Sequence, residues 1–221
     1  MVPLVHHINL GFVNSYLIEA DSSFVLVDTG IAARRGLLEK ALSGYGCTPG
    51  KLKLIVLTHG DIDHSGNCAY LRERYGVPVA MHRDDSDMVE NGRMMPDRQV
   101  NSRLMRFMQS VMKFFGGMER MTAGFEKFKP DVYVTDGQSL APYGLDATVL
   151  HIPGHTKGSI GVLLGNGDFI CGDTMQNGKT ARIIADPDML AASIRRLASL
   201  SPKNLYPGHG KPFPWKNIPV L

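Results

Sequence analysis

The stretch from Leu52 to His64 restricts this chain more than any other. Leu52 to Leu57, apolar apart from Lys53, has the character of a strand covered on both faces, as in the inner sheet of an α/β protein. It runs directly into Thr58-His59-Gly60-Asp61-Ile62-Asp63-His64, where four metal-capable side chains fall within six residues. A solvated loop uses Asp and Gly freely, but seldom alternates two histidines with two aspartates. Strand and loop together imply a buried sheet with metal chemistry at its end.

The segments around it alternate. Phe12 to Glu19 and Phe24 to Val27 read as strands joined by a turn at Asp21-Ser22-Ser23. Asp28-Thr29-Gly30 ends the second strand and opens a helix over about Ala32 to Leu42, stopped by Gly44 and Gly46. After the His/Asp loop a helix is expected from about Ser65 to Tyr75, then a strand from Val77 to Met81. Further on, Asp131 to Thr135, Ala147 to His151, Ile160 to Leu164 and Phe169 to Gly172 read as strands. A last helix starts with Asp186 as cap and Pro187 in its first turn, and runs to about Leu200. This order predicts an α/β sandwich with helices outside two sheets. At 221 residues the whole chain, 1–221, is expected to form one domain.

Nine of the twelve methionines lie between Met81 and Met121, which marks a helical insertion at about 82–130. Within it, Asn101 to Phe115 has the spacing of an amphipathic helix. Leu104, Met105, Phe107, Met108, Val111, Met112, Phe114 and Phe115 fill about half its circumference. A core helix is the first reading of such a stripe. A pocket wall is compatible with it, because flexible Met side chains suit adaptable surfaces. Met105, Met108, Met112 and Phe115 are the expected substrate contacts. The apolar face needs a cover, either the core, a bound ligand or a second copy of the chain, so a homodimer is a candidate assembly.

Composition narrows the function. With 43% hydrophobic residues, 20% charged and a net charge of +3, nothing calls for a nucleic-acid or membrane partner. Met1 to Ala20 does not read as a secretory signal, and Cys47, Cys68 and Cys171 are too scattered for a disulfide framework. A cytoplasmic protein with reduced thiols is expected.

Three more candidate ligands follow: His155 in Pro153-Gly154-His155-Thr156, Asp173 in Cys171-Gly172-Asp173-Thr174, and His209 in Pro207-Gly208-His209-Gly210. His and Asp donors suit zinc, manganese or iron, and the lack of a Cys pair argues against a structural zinc site. His6, His7, His82 and His151 lie outside these motifs and are read as ordinary surface or core histidines. Asp28 is expected to orient a ligand or the loop by hydrogen bonding. Gly178-Lys179-Thr180 imitates the end of a phosphate loop, but the first glycine of that pattern would fall on Asp173.

His-x-Asp-x-Asp-His followed by a distant His, Asp and His resembles the metallo-β-lactamase superfamily, in five ordered motifs from Val27-Asp28-Thr29-Gly30 to His209. The resemblance implies an αββα four-layer sandwich with a dinuclear metal site at the sheet edge. It assigns His59 and His155 to the first ion, Asp63, His64 and His209 to the second, and Asp173 to both. The family's commonest loop has a third His where Asp61 stands. Asp61 is read as a ligand, with a spectator role as the alternative. Zinc is the family default, and the carboxylate, also found in flavodiiron-like members, opens iron or manganese. The reaction implied is hydrolysis by a metal-bridging hydroxide, with Asp63 also orienting or accepting its proton.

A small-molecule substrate is expected: an ester, lactone or thioester. No signal for secretion precedes the motifs, as a secreted β-lactamase would need. Only twelve residues follow His209, too few for the added helical domain of glyoxalase II-like enzymes. Lys179, six residues past Asp173, is a further candidate substrate contact. Two other readings stay open, an iron-dependent redox enzyme and a ligand-binding protein with little turnover.

Overall fold

Alternating side chains on the central strands decide how the layers stack. The computed structural model describes residues 3–93, 99–100 and 122–217. Its first sheet draws on β1 (Leu4–Asn9), β2 (Asn14–Ala20), β3 (Ser23–Val27), β4 (Leu52–Val56) and β5 (Val79–His82). A two-residue β6 (Gln99–Val100) stands apart, and β7 (Val132–Val134) completes the order β1-β2-β3-β4-β5-β7. β1 to β3 are antiparallel, whereas β3, β4, β5 and β7 run parallel.

The second sheet combines β8 (Ala147–His151), β9 (Ile160–Leu164), β10 (Phe169–Gly172), β14 (Asn204–Pro207) and β15 (Phe213–Pro214), in the order β15-β14-β10-β9-β8. Between β10 and β14 lie a hairpin of β11 (Met175–Gln176) and β12 (Lys179–Thr180), and β13 (Ile183–Ile184), which pairs with β6.

Three apolar interfaces follow. Leu17, Leu26 and Ile55 face α1 (Arg35–Gly44) and α3 (Cys68–Tyr75), where they meet Leu38, Leu42 and Leu71. Their neighbours Tyr16, Ile18, Val25, Val27, Leu54 and Val56 face the opposite way and pack on Val149, Ile160, Val162 and Ile170. The far side of the second sheet, with Leu150, Phe169, Cys171 and Leu205, is covered by Leu190, Ile194 and Leu197 of α5 (Pro187–Leu200). The layers are helix, sheet, sheet and helix, the expected αββα sandwich. Asp186 caps α5 by accepting from the N–H groups of Asp188 and Met189, both at 2.9 Å.

The structure departs from expectation in two places. Leu4–Asn9 is a strand at the sheet edge, paired along its whole length with β2, although adjacent His6 and His7 break the alternation that would announce it. The helix expected over Ser65–Tyr75 is two helices, α2 (Ile62–Ser65) and α3, separated at Gly66-Asn67. Gly66 sits where a Cβ would lie 2.7–2.9 Å from backbone atoms of Ile62, Gly30 and Ile31, and Asn67 donates to the carbonyls of Thr29 and Ile31. Docking against the Asp28-Thr29-Gly30 turn breaks the helix. The Met-rich helix expected over Asn101–Phe115, with Met105, Met108, Met112 and Phe115, lies outside the described residues.

Parallel β3, β4 and β5 deliver their following loops to one edge of the first sheet. β8, β10 and β14 bring the turns that follow them to the same place from the second sheet. Ligand sites of α/β sheets lie outside such carboxyl ends.

Candidate metal centre

The donors come together in two groups. Ligand atoms of His59, His155 and Asp173 lie within 4.8 Å of one another, and so do those of Asp63, His64 and His209. His59 follows β4, Asp63 and His64 sit on α2, and His155, Asp173 and His209 follow β8, β10 and β14. Each trio therefore draws on both sheets. Asp173 stands between them, with Oδ2 3.8 Å from His155 Nε2 and 3.2 Å from His209 Nε2, and Oδ1 3.5 Å from His64 Nε2. Asp63 Oδ2 lies 3.3 Å from His209 Nε2 and 3.9 Å from His64 Nε2. Asp61 Oδ2 lies 3.3 Å from His59 Nε2 and 3.2 Å from His155 Nε2, so the variant carboxylate joins the first trio.

All four imidazoles are oriented the same way. Nδ1 of His64 donates to Asp28 at 2.8 Å, that of His155 to the Ile183 carbonyl at 2.7 Å, and that of His209 to the Phe12 carbonyl at 2.5 Å. His59 Nδ1 bonds Thr58 Oγ1 at 3.0 Å, and the Thr58 hydroxyl in turn donates to Asp28 at 2.8 Å. With Nδ1 holding the proton, each ring turns an Nε2 lone pair inward, as metal-binding histidines do. Asp28 thus sits behind His59 and His64, where orientation was expected of it.

Several buried atoms fit a bound cation. His59 Nε2, His64 Nε2 and Asp173 Oδ1 are buried without any hydrogen-bond partner, an arrangement that ordinarily carries a penalty. A Cβ on Gly208 would lie 2.2 Å from Asp173 Oδ1 and 2.5 Å from His64 Cε1, so only glycine leaves the cradle open here. Three carboxylates, on Asp61, Asp63 and Asp173, would offset most of the charge of two divalent ions.

The electrostatics agree. Burial alone would lower the pKa of His64, but Asp28, Asp173 and Asp63 push it up to about 9. His209 is likewise opposed by burial and driven up to about 12 by Asp173 and Asp63. Burial and the neighbouring His64 push His59 down. Against the effect of burial, His209 and His64 hold the Asp173 carboxyl well below its usual range. The pocket has a strong preference for positive charge.

Other residues fall around this centre. Asn14, which the sequence did not single out, is buried; its side chain donates to the carbonyls of Pro207 (2.9 Å) and Gly210 (2.7 Å), gripping the His209 turn. Phe12 is exposed, its ring stacked on His209 with centroids 6.3 Å apart. Lys179 is exposed on the β11–β12 hairpin, whose Asn177 abuts Gly210. Cys171 is fully buried in the core. His82, Asp84 and His151 form a third cluster of possible donors, in which the two imidazoles stack at 4.1 Å and 7° and His151 Nε2 is bonded to the Lys157 carbonyl at 2.9 Å.

Comparison with known proteins gives three kinds of match. The sequence profile described as the metallo-beta-lactamase superfamily matches residues 8–209. A probable metallo-hydrolase of Bacillus subtilis (strain 168), YflN, is 27% identical over 242 residues, covering 97% of this chain and 86% of that protein. A hydroxyacylglutathione hydrolase of Aeromonas hydrophila is 38% identical over 69 residues, only 31% of this chain and 27% of that enzyme. Among solved structures, TTHA1623 in a di-iron-bound form is 27% identical with a TM-score of 0.68, covering 98% of this chain and 96% of that one. The class B3 di-zinc metallo-beta-lactamase LRA-12 from an Alaskan soil metagenome superposes with the same TM-score of 0.68 at 18% identity, over 94% of this chain and 76% of that one.

Proposed function

This chain belongs to the metallo-beta-lactamase superfamily, and from that premise we propose a metal-dependent hydrolase of a small ester, lactone or thioester that works with two divalent ions. The observation that carries the reading is the convergence of buried Nε2 and carboxylate atoms from both sheets, with His59 Nε2, His64 Nε2 and Asp173 Oδ1 making no hydrogen bond. His59, Asp61 and His155 would hold the first ion, Asp63, His64 and His209 the second, and Asp173 would serve both. Bound there, two such ions supply a water acidified toward neutrality and a Lewis acid for an acyl oxygen.

The chain's own groups do the rest. Asp63, whose Oδ2 faces His209 and His64, would orient the attacking water and take its proton on the other carboxylate oxygen. Phe12 gives the mouth an apolar face beside His209, suited to the hydrocarbon part of a substrate. Met105, Met108, Met112 and Phe115 are proposed as further contacts of the substrate, and Lys179 would meet a polar or anionic end. The partial likeness to hydroxyacylglutathione hydrolases supports the thioester among these classes. We assign no nucleic-acid or membrane partner; no described helix is long and apolar enough to cross a membrane.

The test is metal analysis of the purified protein followed by a panel of esters, lactones and thioesters. Close to two transition metals per chain and turnover of one class are expected. Less than one metal per chain after supplementation would overturn the dinuclear reading. A second reading, an iron-dependent redox enzyme, is favoured by Asp61, because a carboxylate between two imidazoles makes the first trio harder. Visible and EPR spectra of the protein as isolated separate the two.

A further inference from the structure

Asp85 immediately precedes α4 (Ser86–Asn91), the position at which an aspartate ordinarily caps its own helix. Here its side chain makes no such cap and turns away, buried, between a loop of the first sheet and a loop of the second. Oδ2 accepts from the Gly60 N–H at 3.1 Å and from the Thr156 hydroxyl at 2.7 Å; Oδ1 accepts from the Gly158 N–H at 2.8 Å. Gly60 follows His59 on the first sheet's loop, and Thr156 follows His155 on the second sheet's turn. One carboxylate therefore ties together the two loops that carry the imidazoles of the first trio.

The fit around it is tight. A Cβ on Gly158 would lie 2.7 Å from Asp85 Cγ, and one on Gly60 would lie 3.0 Å from the Asp85 carbonyl oxygen and 2.8 Å from Met88 Cβ. Both loops reach this carboxylate only because glycine stands at the point of approach. Ser159 supports the arrangement, its Oγ 2.6 Å from Thr156 Oγ1, which leaves the Thr156 proton for Asp85.

We propose that Asp85 is the positioning residue of the first trio, fixing the spacing of His59 and His155 across the two sheets. The inference rests on the metal reading above. An acceptor-only carboxylate is required at this point, because all three groups facing it are donors. In Asp85→Asn the amide Nδ2 would face one of those donors, and the two loops would separate. The second trio does not touch Asp85 and would keep its geometry.

The experiment measures zinc affinity, by chelator competition, in two parent variants that each keep one trio. Asp85→Asn is expected to weaken zinc binding about 10- to 100-fold in the His209→Ala parent, the range seen when a group behind a ligand is lost, and to leave the His155→Ala parent unchanged. Thr156→Val, which removes one donor and keeps the shape, should weaken the first trio less, and Thr156→Ser should restore it. Melting temperatures of the metal-free chains are recorded alongside. Equal losses in both parents, or no loss in either, would overturn the role of Asp85 while leaving the metal reading intact. Parents that take up no zinc at all would overturn the metal reading and Asp85's role with it.

Discussion

Asp28 and His64 are joined by a 2.8 Å hydrogen bond in which both partners are buried, and Asp28 reaches it from a left-handed backbone at φ +60°. An aspartate held in that region of backbone space is uncommon, and here three bonds hold it. Besides His64, its carboxylate accepts from the backbone N–H and the hydroxyl of Thr58, at 2.9 and 2.8 Å. Asp28→Asn should therefore lower zinc affinity about 10- to 100-fold through His64 and Thr58, with a smaller effect on folding. Asp28→Ala should further destabilise the chain by about 1–3 kcal/mol, since it orphans buried donors of Thr58. Zinc competition and urea denaturation read the two effects separately.

Gly208 makes a sharper test of the cradle. The methyl of Gly208→Ala would overlap Asp173 Oδ1 and His64 Cε1. Metal content after dialysis should fall well below the wild-type value, because Asp173 can no longer serve both trios. A variant that keeps its full metal content would show that the turn moves aside and that the cradle is not tight.

Asp61 is a matter of metal choice. Asp61→His replaces the carboxylate between His59 and His155 with a softer imidazole, so competition between zinc and manganese should shift toward zinc. Elemental analysis after growth in mixed metals measures it. An unchanged profile with unchanged activity would make Asp61 a spectator.

His82 supplies a pH dependence away from the metal donors. Burial first, and then the stacked His151, hold its pKa below the usual 6.5, with Asp84 and Asp85 acting against them. The unfolded chain then takes up a proton near pH 6.5 that the folded chain refuses. Stability from this residue is complete above that pH and is lost as pH falls from it toward the folded value. Melting temperature should decline on the acid side of neutrality, and His82→Gln should flatten that part of the curve.

Much of this molecule was readable before its structure. The His/Asp loop after an apolar strand, and three later donors each beside glycine, pointed to the side chains that the structure gathers into two trios, because ligand chemistry demands particular side chains. Asp186 and Pro187 announced α5 through capping rules that act locally. What escaped was chemistry carried by backbone. Asp85 meets the N–H groups of Gly60 and Gly158, and Asn14 meets the carbonyls of Pro207 and Gly210. No residue type advertises such a partner. β1 escaped for another reason: edge pairing with β2 does not need the regular alternation that marks a half-buried strand.

The bond from His209 to the carbonyl of Phe12 joins positions 197 residues apart. A chain emerging from the ribosome displays His59, Asp61, Asp63 and His64 long before His155, Asp173 and His209 exist to complete either trio. Neither trio is therefore complete until the second sheet has been made. An ion held by both trios would act as a late rivet, and its departure would slacken both sheets at the same edge at once.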